Sequence, residues 1–111
     1  MEGLRITDTG QRVLVRLEGE LTKDVTGNIK KEVETALQGM DRSVVGVDLA
    51  GVSILDSSGI GLLVSLNSTV MGLGRSMILY AVPDRVRKTL ALVQLESFFS
   101  IVDGEGDLPE A

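Results

Sequence analysis

The chain has 111 residues, 43% of them apolar, which suits one compact domain and excludes a disordered chain. It contains no cysteine and no histidine, so disulfides, thiolate metal sites and Ser-His-Asp or Cys-His catalysis are excluded. The net charge of −5 argues against a nucleic-acid footprint and against attraction to an anionic membrane surface. The N-terminus lacks a basic start followed by an apolar block, so no signal peptide is expected. Every apolar run is far shorter than a bilayer span, so no direct membrane insertion is expected.

In chain order, Leu4 to Thr7 is a candidate strand, followed by the turn cluster Asp8-Thr9-Gly10. Arg12 to Leu17 alternates, with Val13, Val15 and Leu17 on one face, so the two strands read as an antiparallel hairpin closed by Gly19-Glu20-Leu21. Asp24 or Thr22 is placed to cap a helix with Val25, Ile29, Val33, Ala36 and Leu37 on its apolar stripe. Gly39 is its expected stop. Ser43 to Leu49 reads as a central strand covered on both faces, and Ala50 to Leu55 as a connector.

Asp56-Ser57-Ser58-Gly59 opens a second helix, with Ile60, Leu63, Val64, Asn67, Val70 and Met71 facing inward and Gly72 and Gly74 at its end. Met77 to Val82 is a further strand. Pro83-Asp84 opens a third helix with Val86, Leu90, Val93 and Leu95 inward, and Phe98 to Val102 reads as an edge strand. Tyr80, Phe98 and Phe99 are expected to pack inside; Met40, Met71 and Met77 are expected as core filler or surface. Asp103 to Ala111 is acidic and reads as a frayed tail or one loose helical turn. The order is β-β-α-β-α-β-α-β: one α/β domain over 1–111, core about 4–102. Its sheet is mixed and mostly parallel, with four or five strands and about three main helices.

In parallel strand–helix units the loops leaving the carboxyl ends of the strands gather on one sheet edge. Glu20 to Asp24 and Ser53 to Ser58 are such loops, so Thr22, Lys23, Asp24, Asp56, Ser57 and Ser58 are expected to share a surface patch. Asp56, Ser57 and Ser58 suit plain helix capping. The same helix start also tolerates an anion. A phosphate there adds about −1.5 to −2 charges to an exposed surface. Gly59 and Gly61 make only a G-x-G fragment, with no dinucleotide or Walker pattern, so a nucleotide site is not expected.

The segment Ile54-Leu55-Asp56-Ser57-Ser58-Gly59-Ile60-Gly61 resembles the signature of STAS domains, and more narrowly that of bacterial anti-sigma factor antagonists. Leu17-Glu18-Gly19-Glu20-Leu21 resembles the end of the family's second strand, Val45 to Leu49 its central strand, and the likeness runs from about Leu4 to Val102. The resemblance implies a cytoplasmic, non-enzymatic partner switch. The unphosphorylated protein binds an anti-sigma factor that is also a serine kinase, and a sigma factor is released. Phosphorylation of Ser57, with Ser58 as second choice, ends binding, and a metal-dependent serine phosphatase resets it. ATP and metal belong to those partners, so no cofactor is expected in this chain. Asp56 and Gly59 are implied in recognition beside Ser57. Many relatives carry an aspartate directly after Gly-Glu-Leu, where this chain has Thr22, with Asp24 two residues on; whether Asp24 takes its place stays open. The alternative within the same fold is a scaffold or sensor component, or a cytoplasmic subunit of a lipid transporter. A monomer is the default for an acidic domain of this size.

Overall fold

The computed structural model describes residues 3–109. Among these, five strands form one sheet in the order β1-β2-β3-β4-β5: Leu4–Asp8, Val13–Leu21, Val44–Leu55, Ser76–Tyr80 and Ser100–Val102. The first two pair antiparallel and the others parallel. The α-helices are α1, Lys23–Gln38, α2, Ser57–Gly72, and α3, Asp84–Leu92. The mixed α/β architecture expected from the residue patterns is therefore present, with all five strands.

The hairpin turn follows from its chemistry. Asp8 Oδ1 accepts from the Gly10 N–H at 2.8 Å, and Gly10 sits at φ +91°, where a side chain is disfavoured. Val13, Val15 and Leu17 of β2, Val45, Val47 and Leu49 of β3, and Met77 and Leu79 of β4 point to one face. The buried residues of the helices, among them Ile29, Val33, Leu63, Leu66, Val86 and Leu90, complete that core. On the opposite face Val44, Ile78 and Tyr80 pack with Leu108.

Two strands run further than the residue pattern suggested. The alternation of β2 breaks at Glu18-Gly19-Glu20, with Gly19 at φ +83°, yet Leu21 returns to the core fully buried. Ala50 to Leu55, read as a connector, continues β3. The pairing with β2 shifts twice: Arg16 faces Asp48, Glu18 faces Gly51, Gly19 faces Val52 and Glu20 faces Ile54. Each shift gives β3 one extra residue, so Leu49, Val52 and Leu55 reach the core at a spacing of three instead of two.

Other departures concern single side chains. Met71, Val93 and Phe98 are exposed rather than inward, while Leu62 and Leu66 are buried on α2. Val93 lies where α3 has stopped: the helix ends at Leu92, and Gln94 turns the chain at φ +61°. The acidic tail does form one turn, a 3-10 turn at Glu105–Asp107, but it is not frayed through Pro109. Leu108 is 5% exposed and fills the space above Gly46, where an added Cβ would lie 2.8 Å from Leu108 Cδ1. Glu110 and Ala111 lie outside the described residues.

Candidate functional site

Strands β2 and β3 finish in register, Leu21 beside Leu55, and each runs straight into a helix. Thr22 is therefore the N-cap of α1 and Asp56 the N-cap of α2, on neighbouring strands roughly 5 Å apart. This register brings Thr22, Lys23, Asp24, Asp56, Ser57 and Ser58 to one sheet edge, the grouping expected from topology, with Gly59 next in the chain.

The two caps differ. Thr22 has extended backbone, and its carbonyl accepts from Val25 and Thr26, but its hydroxyl makes no cap hydrogen bond. Asp24 is an exposed acid in the first turn of α1, where it complements the helix dipole rather than capping the helix. Asp56 caps in full: its Oδ1 accepts from the Ser58 N–H at 2.9 Å and the Gly59 N–H at 3.0 Å, while its carbonyl accepts from Ile60. Ser57 is thereby the first residue of α2, exposed, with its neighbour Ser58 half-buried.

Capping has a consequence for anion binding. Two of the amino-terminal N–H groups that would greet an anion are already committed to the Asp56 carboxylate. A charge added at Ser57 meets the helix dipole and, against it, a fixed negative neighbour.

Gly59 sets how closely the site is assembled. A Cβ at this position would lie 2.6 Å from Leu55 Cδ1 and 2.7 Å from the Leu21 carbonyl oxygen. Only glycine lets the start of α2 rest on the end of β2, and this contact holds the two helix starts together. Beside Ser58 a shallow cleft of about 260 Å³ runs between α1 and α2, lined by Thr26, Gly27, Lys30, Ser58, Gly61 and Ser65. On the other side Ile54 is 47% exposed next to its partner Glu20. The residue patterns did not single out Thr26, Gly27, Lys30, Ser65 or Ile54. The signal available was glycine in both facing helices, at Gly27 and Gly61, which leaves the cleft open.

Among the described residues no group of His, Cys, Asp and Glu is arranged to hold a metal ion, and no helix is long and apolar enough to cross a membrane.

A family model described as Mlab, STAS domain, matches residues 4–103. Among solved structures, an anti-sigma-factor antagonist (STAS) domain protein from Planctomyces limnophilus superposes with a TM-score of 0.81 at 21% identity, covering 96% of this chain and 94% of that one. The anti-sigma factor antagonist SpoIIAA in its unphosphorylated form gives 0.76 at 23% identity, covering 93% and 90%. The Bacillus cell fate determinant SpoIIAA in its phosphorylated form gives 0.70 at 22%, covering 93% and 94%. At these identities the likeness is one of fold.

Proposed function

We propose that this chain, which belongs to the STAS domain family, is a cytoplasmic partner switch of the anti-sigma factor antagonist type, with Ser57 as its phosphorylated residue. In this reading the unphosphorylated form docks on an anti-sigma factor serine kinase through the edge bearing Thr22 to Asp24 and Asp56 to Gly59. That docking frees a sigma factor. Phosphate on Ser57 ends docking, and a metal-dependent serine phosphatase restores it.

The observation that carries the reading is the position of Ser57. It is exposed at the first turn of α2, beside a cap that already holds the backbone in place without it. The hydroxyl therefore has no structural duty, and a kinase can reach it. A partner packed over this edge would have to desolvate the phosphate dianion. Leaving one buried charge unpaired typically costs about 3–5 kcal/mol. With about 1.4 kcal/mol per tenfold, binding weakens by at least about a hundredfold.

The deciding measurement is intact-mass and peptide mass spectrometry of the protein taken from its own cells. One phosphate is expected on the peptide spanning Asp56 to Gly59. Ser57→Ala should keep the kinase partner in native pull-downs and carry no phosphate. Stoichiometric labelling of Ser57→Ala would assign the wrong acceptor. Recovery with a membrane transporter complex and no kinase would favour the transporter-subunit reading instead.

A further inference from the structure

Helix α2 carries a polar feature far from Ser57. Asn67 is 8% exposed and sits among the buried leucines and valines of that helix. A buried carboxamide needs partners for both its amide hydrogens and its carbonyl oxygen. Among the described residues its one side-chain hydrogen bond runs from Nδ2 to Met71 Sδ at 3.5 Å, and a thioether is a weak acceptor. Its Oδ1 accepts no hydrogen bond from these residues, and it is open to solvent rather than sealed in the core.

Asn67 lines a cleft of about 340 Å³ together with Met71, Arg75, Met77, Phe98 and Ser100. That volume lies at the lower end of the range for small-molecule sites, which combine apolar walls with a few fixed polar groups. The walls here are two thioethers and a phenyl ring, with Ser76 and Ser100 adding polar groups at one side. Met71 is 63% exposed and Phe98 47% exposed, although both are large and apolar. The Phe98 ring is not loose: it stands edge-on to Phe99, with centroids 5.0 Å apart at 89°. Sulfur against a ring edge and ring against ring are both favourable contacts for an aromatic guest.

Charge narrows the guest further. Arg75 donates from Nη1 to the Leu37 carbonyl and from Nη2 to the Met40 carbonyl, which holds its charge at the cleft. A cation is repelled there. No carboxylate lines the cleft.

We propose that this cleft binds a small aromatic molecule with no positive charge and one N–H or O–H donor, of the indole or phenol class. The donor meets Asn67 Oδ1, and the ring lies between Met71 and Phe98. The site is independent of the Ser57 reading, since it uses none of the same residues.

The test titrates the whole chain with indole and with benzothiophene, which keeps the two-ring shape and replaces the N–H by sulfur. Amide and side-chain NMR shifts locate and quantify binding. Indole should saturate, moving the Asn67 side-chain amide together with Met71 and Phe98, and should bind about tenfold tighter than benzothiophene, the size of one net hydrogen bond. Asn67→Leu, an apolar change at a buried position, should erase that preference while benzothiophene still binds. Phe98→Ala, at an exposed position, should weaken both. Absence of saturable indole shifts at the cleft, equal affinity of the two probes for wild type, or a preference that survives in Asn67→Leu would each overturn the proposal.

Discussion

Alanine at Gly59 and alanine at Gly61 should change stability in opposite directions, although the two glycines are only two positions apart on α2. At Gly59 the new Cβ would meet Leu55 Cδ1 at 2.6 Å, the Leu21 carbonyl oxygen at 2.7 Å and Leu21 Cβ at 2.9 Å. The leucine tip can turn aside, but the carbonyl belongs to the backbone of β2, so α2 itself must move. Overpacking of this kind costs about 1–3 kcal/mol, against which the better helix propensity of alanine returns up to about 1 kcal/mol. The net loss is roughly 1–2 kcal/mol. For a domain of this size each kcal/mol moves Tm by about 4 °C, so Gly59→Ala should melt about 4–8 °C lower. Gly61 has nothing within 4 Å of its added Cβ. Only the propensity gain remains, and Gly61→Ala should melt up to about 4 °C higher. Scanning calorimetry, with urea titration as a check on the slope, reads both. A Gly59→Ala protein as stable as wild type would refute the claim that the two helix starts are held at a glycine-only distance.

The cap, the tail and the titrating side chains give further expectations. Asp56→Ala should lose roughly 1 kcal/mol in urea unfolding, and Asp56→Asn much less, because either side chain can accept from Ser58 and Gly59. Leu108→Ala should lose about 2–3 kcal/mol, the lower part of the range for buried leucines, since the segment carrying it can relax; unchanged stability would mean the tail is not docked. Burial, with the charges of Asp48 and Glu105 adding to it, pushes the Tyr80 phenol up to about 12. An unfolded phenol ionises near 10, so the folded state keeps its proton longer. Stability from this source is complete below about pH 10 and declines as pH rises towards 12, by about 3 kcal/mol at most, and Tyr80→Phe should flatten the decline in urea titrations over that window. Asp8 has the opposite sign: hydrogen bonds from Arg42 and Gly10 hold its carboxyl below the usual range. Its contribution is present at neutral pH and disappears as pH falls through that lowered value, which Asp8→Asn should abolish.

Most elements could be read from the residues because their patterns are local. The alternation Val13-Val15-Leu17, the stripe Ile29-Val33-Leu37 and the capping run Asp56-Ser57-Ser58 each declare their geometry within a few positions. The second half of β3 could not be read this way. Its extra residues arise from how it pairs with β2, and the three-residue spacing Leu49-Val52-Leu55 has no strand meaning until that pairing is known. Leu108 was hidden for a related reason: nothing near it in the chain reveals the gap over Gly46 that it fills. Helical spacing puts Met71 and apolar character puts Phe98 inward, and their exposure is a property of where α2 and the loop before β5 come to lie. At the candidate site topology was enough to group Thr22 through Asp24 with Asp56 through Ser58. It could not reveal that Asp56 takes the N–H groups while the hydroxyl of Thr22 caps nothing.

That last difference decides how a phosphate on Ser57 would act. If the helix start were open, an added phosphate would be gripped by backbone N–H groups and could reorganise the first turn. With Asp56 already in place, the attraction of the dipole, about 0.3–1 kcal/mol at an exposed helix end, is opposed by a carboxylate of the same sign. The two effects oppose each other within the domain. A docking surface has no such compensation, because it must strip water from the new charge. In the proposed switch the same modification would therefore be nearly silent for folding and costly for binding, with the cap residue rather than the serine separating the two.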